Sequence, residues 1–266
     1  MSIESNHLKE FLDDVGHSVH CMNTIAVALS TITEETTAPS TLNISWKPGN
    51  AKQSSMNSRR FAVKSAIVYS VESLFEYLSK VSNSELWLNE DMNFNVKKNP
   101  TDSKADRVVR FLEATPEVEP EWIILVELLC HWRNKVVHAK ASNAKLSKAS
   151  IQHLKENAQA IFDSYHHFDV NEALSNYGMG KFTLKDVSTL ITMVIKSIRA
   201  VDKVYVEQAS SLPANELIAY LSKDEQFIQF MKLADEHRKA RKIKTWLEMH
   251  FAFLGESRIK EIIATL

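Results

Sequence analysis

The stretch EWIILVELLCHWRNKVVH, residues 121–138, is apolar on almost every side until its last turn and a half, where Arg133, Asn134, Lys135 and His138 interrupt the aliphatics. A helix turns by about 100° per residue, so Glu127, His131, Asn134 and His138 fall within roughly 60° of one another and form a narrow polar stripe. The other faces carry Trp122, Ile124, Leu125, Val126, Leu128, Leu129, Trp132, Val136 and Val137, the pattern of a helix buried in a bundle. A buried polar line needs partners, because each unpaired polar group costs about 1–3 kcal/mol. Those partners are other helices of the chain, a second copy of it, or a ligand. Arg133 lies about 100° around the helix from Asn134, and its long stem lets the guanidinium swing toward the same opening.

The rest of the chain reads as helices joined by short breaks. Leu8, Phe11, Leu12, Val15, Val19, Met22, Ile25, Ala26, Leu29 and Ile32 recur at three and four and predict a helix over 6–33. Thr33 to Ser55 carries Pro39 and Pro48-Gly49 and reads as a loop, with a short extended piece at Leu42, Ile44 and Trp46. A second helix is predicted over 58–81, with Phe61, Ser65, Val68, Val71, Phe75 and Leu78 on one side. Ser103 caps a short helix that stops before Pro116, and the motif helix starts just after Pro120. Ile151, Leu154, Ala158, Ile161, Phe162 and Tyr165 make one more face. The stretch 169–181, with Gly178 and Gly180, reads as a boundary, giving a bundle over 1–168 and a helical region over 169–266. Thr183 and Asp186 form a capping-box-like start for a helix to about 208, and 214–222, 224–252 and 256–266 are helical by pattern. The fold expected is all-α, an up-and-down bundle with a C-terminal helical extension.

Composition narrows the functional classes. Five Gly and six Pro in 266 residues favour long helices and leave no room for a Walker-type loop, a dinucleotide fingerprint or a Gly-x-Ser-x-Gly elbow. A net charge of −1 gives no global attraction to nucleic acid, so contact with a polyanion must come from local basic patches. Cys21 and Cys130 sit far apart among apolar residues, as reduced thiols of a cytoplasmic protein would. The polar, acidic start and the lack of any long uncharged apolar run predict no export signal and no membrane span. His17, His20 and Cys21, and the pair His166-His167, lack the spacing of a zinc site, so neither metal nor cofactor is expected.

Arg133-Asn134-x-x-x-His138 at the end of a buried helix resembles the signature of the HEPN superfamily, Arg-x(4–6)-His with a polar residue, often Asn, directly after the Arg. Nine arginines and ten histidines give a bare Arg-x(4–6)-His about once by accident. Requiring the Asn and a gap of four lowers that to about 0.02. The match covers Arg133, Asn134 and His138, and more loosely the bundle from about 57 to 166. The resemblance implies a metal-independent endoribonuclease, a hydrolase acting in antiviral defence or as the toxin of a toxin–antitoxin pair, with a site shared between two copies. Lys140 stands where the subgroup paired with nucleotidyltransferase-type antitoxins has a Tyr, which argues against control by modification there.

The residue types suit that chemistry. Cutting RNA without a metal requires removing a proton from the 2′-hydroxyl, stabilising a pentavalent phosphate and protonating the leaving 5′-oxygen. His138 supplies proton transfer, Arg133 a bidentate phosphate clamp, and Asn134 an orienting amide. One imidazole serves poorly as both acid and base, so a homodimer with the motif at or beside its two-fold axis is expected. Lys135 and Lys140 beside the motif, and Arg238 and Arg241 in the basic run 237–244, are the expected RNA contacts. Glu127 and His131 support the stripe. The partners expected are RNA, a second copy, and a cognate antitoxin or defence-system protein. The competing expectation is a non-catalytic helical module that binds RNA or a protein as a regulatory subunit of such a system.

Overall fold

The computed structural model describes residues 4–83, 90–138 and 145–266, whose regular structure is helical, with no strand among them. The helices are α1 (Asn6–Ser30), α2 (Ala51–Ser82), α3 (Lys104–Glu113), α4 (Pro120–Val137), α5 (Lys148–Glu156), α6 (Ala158–Ser164), α7 (Val170–Met179), α8 (Leu184–Ser211), α9 (Ala214–Leu221), α10 (Glu225–Met231), α11 (Glu236–His250) and α12 (Gly255–Thr265). Two short 3-10 turns add to them, at Ser40–Leu42 and Ala252–Leu254. The all-α expectation holds. Where an extended piece was expected after Thr33, the 3-10 turn Ser40–Leu42 and irregular chain stand instead. Among the described residues, no helix is long and apolar enough to cross a membrane.

Local chemistry sets many of the ends. Ser103 and Asp106 close a reciprocal capping box at the start of α3. Thr183 Oγ1 accepts from the Asp186 amide as α8 begins. Pro120 opens α4 at the one helical position where a missing N–H costs nothing. The face predicted from Ile151 to Tyr165 is split into α5 and α6 at Asn157, whose carboxamide donates to the His153 carbonyl and competes with continuation of the helix. Likewise the predicted helix over 224–252 breaks between α10 and α11, where Asp235 caps the latter through the Arg238 amide.

The chain divides into two compact units, one built from 1–12, 75–120 and 196–266, the other from 13–74 and 121–195. Position 169 is therefore no boundary between them, since residues 169–195 cluster with 121–168. The physical reason is in the side chains. Trp132 meets Phe182 edge to face at 5.3 Å, and Lys135 donates to the Tyr177 carbonyl at 2.7 Å.

In the 13–74/121–195 unit, α4 buries Ile123, Leu125, Val126, Leu128, Leu129, Cys130, His131 and Trp132. Against that pattern, Phe61 was expected inward on α2 and is 73% exposed, whereas Ala62, Val63, Ala66, Ile67 and Val71 take the buried side. In the other unit, Asp202 is 2% exposed and holds the start of α1, accepting from the Ser5 amide at 3.0 Å, from the Ser5 hydroxyl, and from Tyr77 Oη at 3.0 Å. Burial raises its carboxyl above the usual range against those hydrogen bonds.

Candidate functional site

Helix α4 leaves the core as it reaches the motif. Trp132 is fully buried, Arg133 to Val136 are half-buried, and Val137 and His138 are exposed. The same apolar run that predicts burial thus ends by presenting its polar residues at the surface. His138 stands one position past the end of α4, held to the last turn by its amide bonding to the Asn134 carbonyl at 2.9 Å.

Arg133 does not stand alone. Its Nη2 donates to Glu72 Oε1 from α2, and its Nη1 donates to Asn134 Oδ1 at 3.1 Å. The Arg133 side chain is 15% exposed and that of Glu72 42%, so the ion pair is sheltered on the arginine side and open to water on the other. The guanidinium is thereby held between a carboxylate and an amide oxygen, one turn before the exposed imidazole. Asn134 directs its carboxamide oxygen to Arg133.

In the lower part of the stripe two side chains partner each other across one turn. His131 is 7% exposed and its Nε2 lies 3.2 Å from Glu127 Oε1, while its Nδ1 is buried with no partner among the described residues. His131 is thus packed inside, while the Glu127 side chain keeps 19% of its surface exposed. Cys130, also fully buried beside them, has its thiol pushed up to about 12, first by burial and then by the charge of Glu127.

Lys135 reaches away from the motif. Its Nζ donates to the Tyr177 carbonyl and lies 3.6 Å from the centroid of that ring. Lys140 falls outside the described residues. Arg238 and Arg241 are exposed on α11 and belong to the unit that does not contain the motif. Among the described residues, no three or more His, Cys, Asp or Glu side chains gather as a metal site would require.

Sequence reasoning missed Glu72. Its signal was present as a charged residue between Val71 and Ser73 on a helix with an apolar face, but pairing it with Arg133 required knowing that α2 and α4 meet there. A groove of about 400 Å³ also runs along these two helices, lined by Phe61, Lys64, Ser65, Val68 and Tyr69 of α2 and by Val136 of α4. Phe61 is 73% and Tyr69 67% exposed, and Val137 beside the motif is 43% exposed.

Compared with family models, curated proteins and solved structures, the chain finds no match in any of the three.

Proposed function

We propose that this protein is a metal-independent endoribonuclease of HEPN type, an antiviral defence or toxin effector that acts as a homodimer. The observation that carries the reading is the set Glu72, Arg133 and Asn134, hydrogen-bonded together one turn below an exposed His138 at the point where a core helix surfaces. A 2′-oxygen attacks the adjacent phosphorus while one His138 imidazole takes the 2′-hydroxyl proton. The P–O5′ bond breaks, and a protonated His138 of the second copy delivers its proton to the 5′-oxygen. The products are a 2′,3′-cyclic phosphate and a free 5′-hydroxyl. Arg133, aligned by Glu72, stabilises the charge that builds on the phosphoryl oxygens.

The exposed aromatic groove supports the second copy. Large apolar side chains clustered at the surface mark interaction sites, and this cluster includes Val136, two residues before His138. A two-fold contact there brings two motif helices near each other, which supplies the second imidazole.

One observation favours a second reading. Arg133 already has a carboxylate partner and Glu127 is paired with His131, as in a module whose polar stripe serves stability and binds RNA or a protein without cleaving it. The two are separated by incubating purified protein, His138→Ala and Arg133→Ala with end-labelled RNA in EDTA. Cleavage by the native protein alone, with 2′,3′-cyclic phosphate ends, supports the nuclease. Equal inactivity of three folded proteins favours the binding module.

A further inference from the structure

A second cavity lies on the far side of Lys135, within the same unit as the motif. Its volume is about 620 Å³, and it is lined by three amines, Lys135, Lys145 and Lys155, with the neutral polar Asn171 and Ser175 and the apolar Leu146, Ile151 and Leu174. Among the described residues, no carboxylate lines it. Elsewhere in the chain several lysines do have one. Lys80, Lys98, Lys203, Lys239, Lys244 and Lys260 each pair with an Asp or Glu within 4 Å.

Lys135 is drawn into the cavity wall, bonded to the Tyr177 carbonyl and packed on its ring. Burial and the charge of Lys145 both lower its affinity for a proton. Like charges held together without a counter-charge cost free energy, and a bound anion removes that cost. An oxyanion with several oxygens fits three amines on flexible stems, and amide and hydroxyl groups at Asn171 and Ser175 supply further hydrogen bonds.

We infer that the cavity bounded by α4, α5 and α7 is a phosphate-binding groove in which Lys135, Lys145 and Lys155 hold the backbone of an RNA strand. Lys135 stands two residues from Arg133, about 200° around the same helix, so the groove lies on a different face of α4 from the motif. The inference rests on the nuclease reading for what happens to the strand, and on the cavity alone for its binding. The same oxyanion chemistry would accept a free polyphosphate, which the test below distinguishes.

Binding is read on the His138→Ala protein in EDTA, so that cleavage has no part in the result. A fluorescein-labelled single-stranded RNA of about 12 nucleotides is titrated by anisotropy at several salt concentrations, against Lys145→Gln, Lys155→Gln, and Lys135→Gln with both. Each neutralised phosphate contact on a single strand contributes about 0.7 to the slope of log affinity against log salt. The triple substitution is expected to reduce the slope by about 2 and to weaken binding at least tenfold. Lys145 and Lys155 are exposed, so the double substitution at those two sites keeps the fold and is expected to show about two-thirds of the slope change. An unchanged affinity and slope in these variants overturns the inference, whatever the native protein does to RNA. Tight binding of inorganic triphosphate with no binding of RNA overturns the RNA strand as occupant and assigns the groove to a free polyphosphate. Groove-dependent RNA binding by a native protein that never cleaves sustains the groove and removes the nuclease reading instead.

Discussion

The Glu72–Arg133 pair sets the most direct test of how the site is built. The pair has the sheltered guanidinium on one side and a carboxylate 42% exposed on the other. A fully exposed pair contributes about 0.2–1 kcal/mol, whereas removing one partner of a buried pair costs about 3–5 kcal/mol. With one partner open to water, solvent screening places the coupling near the lower range, at about 1–1.5 kcal/mol. A double-mutant cycle of Glu72→Ala, Arg133→Ala and both isolates that term. Urea unfolding followed by tryptophan fluorescence is suited to it, because Trp122 and Trp132 both lie on α4 and report on this unit. The same coupling, spent on aligning the guanidinium, corresponds to about a tenfold change in cleavage rate, so Glu72→Ala is expected to slow cleavage by that factor. Glu72→Gln keeps an acceptor oxygen and loses less. A coupling below about 0.3 kcal/mol, within the spread expected of independent sites, would show that the carboxylate does not hold Arg133. Faster cleavage by Glu72→Ala would show that it competes with the phosphate instead.

Two further outcomes follow from the same unit. Phe61→Glu and Tyr69→Glu place charges on the exposed α2 groove without disturbing its buried side, so sedimentation velocity is expected to show a dimer for the native protein and a monomer for either variant; a native monomer at micromolar concentration refutes the two-fold arrangement. Cys130 titrates near 12 rather than 9, so at pH 8 its thiolate is suppressed about a thousandfold, and iodoacetamide is expected to label half-exposed Cys21 alone in the folded protein, as read by peptide mass spectrometry. Because the folded state binds that proton more tightly, the stability it contributes is complete below pH 9 and is lost as pH rises through 12. Relative to Cys130→Ala, the native protein is expected to lose about 2 kcal/mol between pH 8 and 10.5, and parallel urea curves for the two would contradict the burial of the thiol.

Which residues make helices, and that one of those helices is buried and ends in Arg133, Asn134 and His138, was legible from the sequence. Capping and periodicity are local, acting within a turn or two, so Ser103 with Asp106 and the apolar run from Trp122 to Trp132 speak for themselves. Only the tertiary structure decided that Arg133 meets Glu72, that Lys135, Lys145 and Lys155 line one cavity, and that Phe61 faces outward while its neighbours Ala62 and Val63 are buried. It also decided the division of the chain, in which 169–195 joins 121–168 and distant segments share one core. These facts depend on which helix faces which, and that is set by the packing of many side chains at once. No single turn of sequence encodes it.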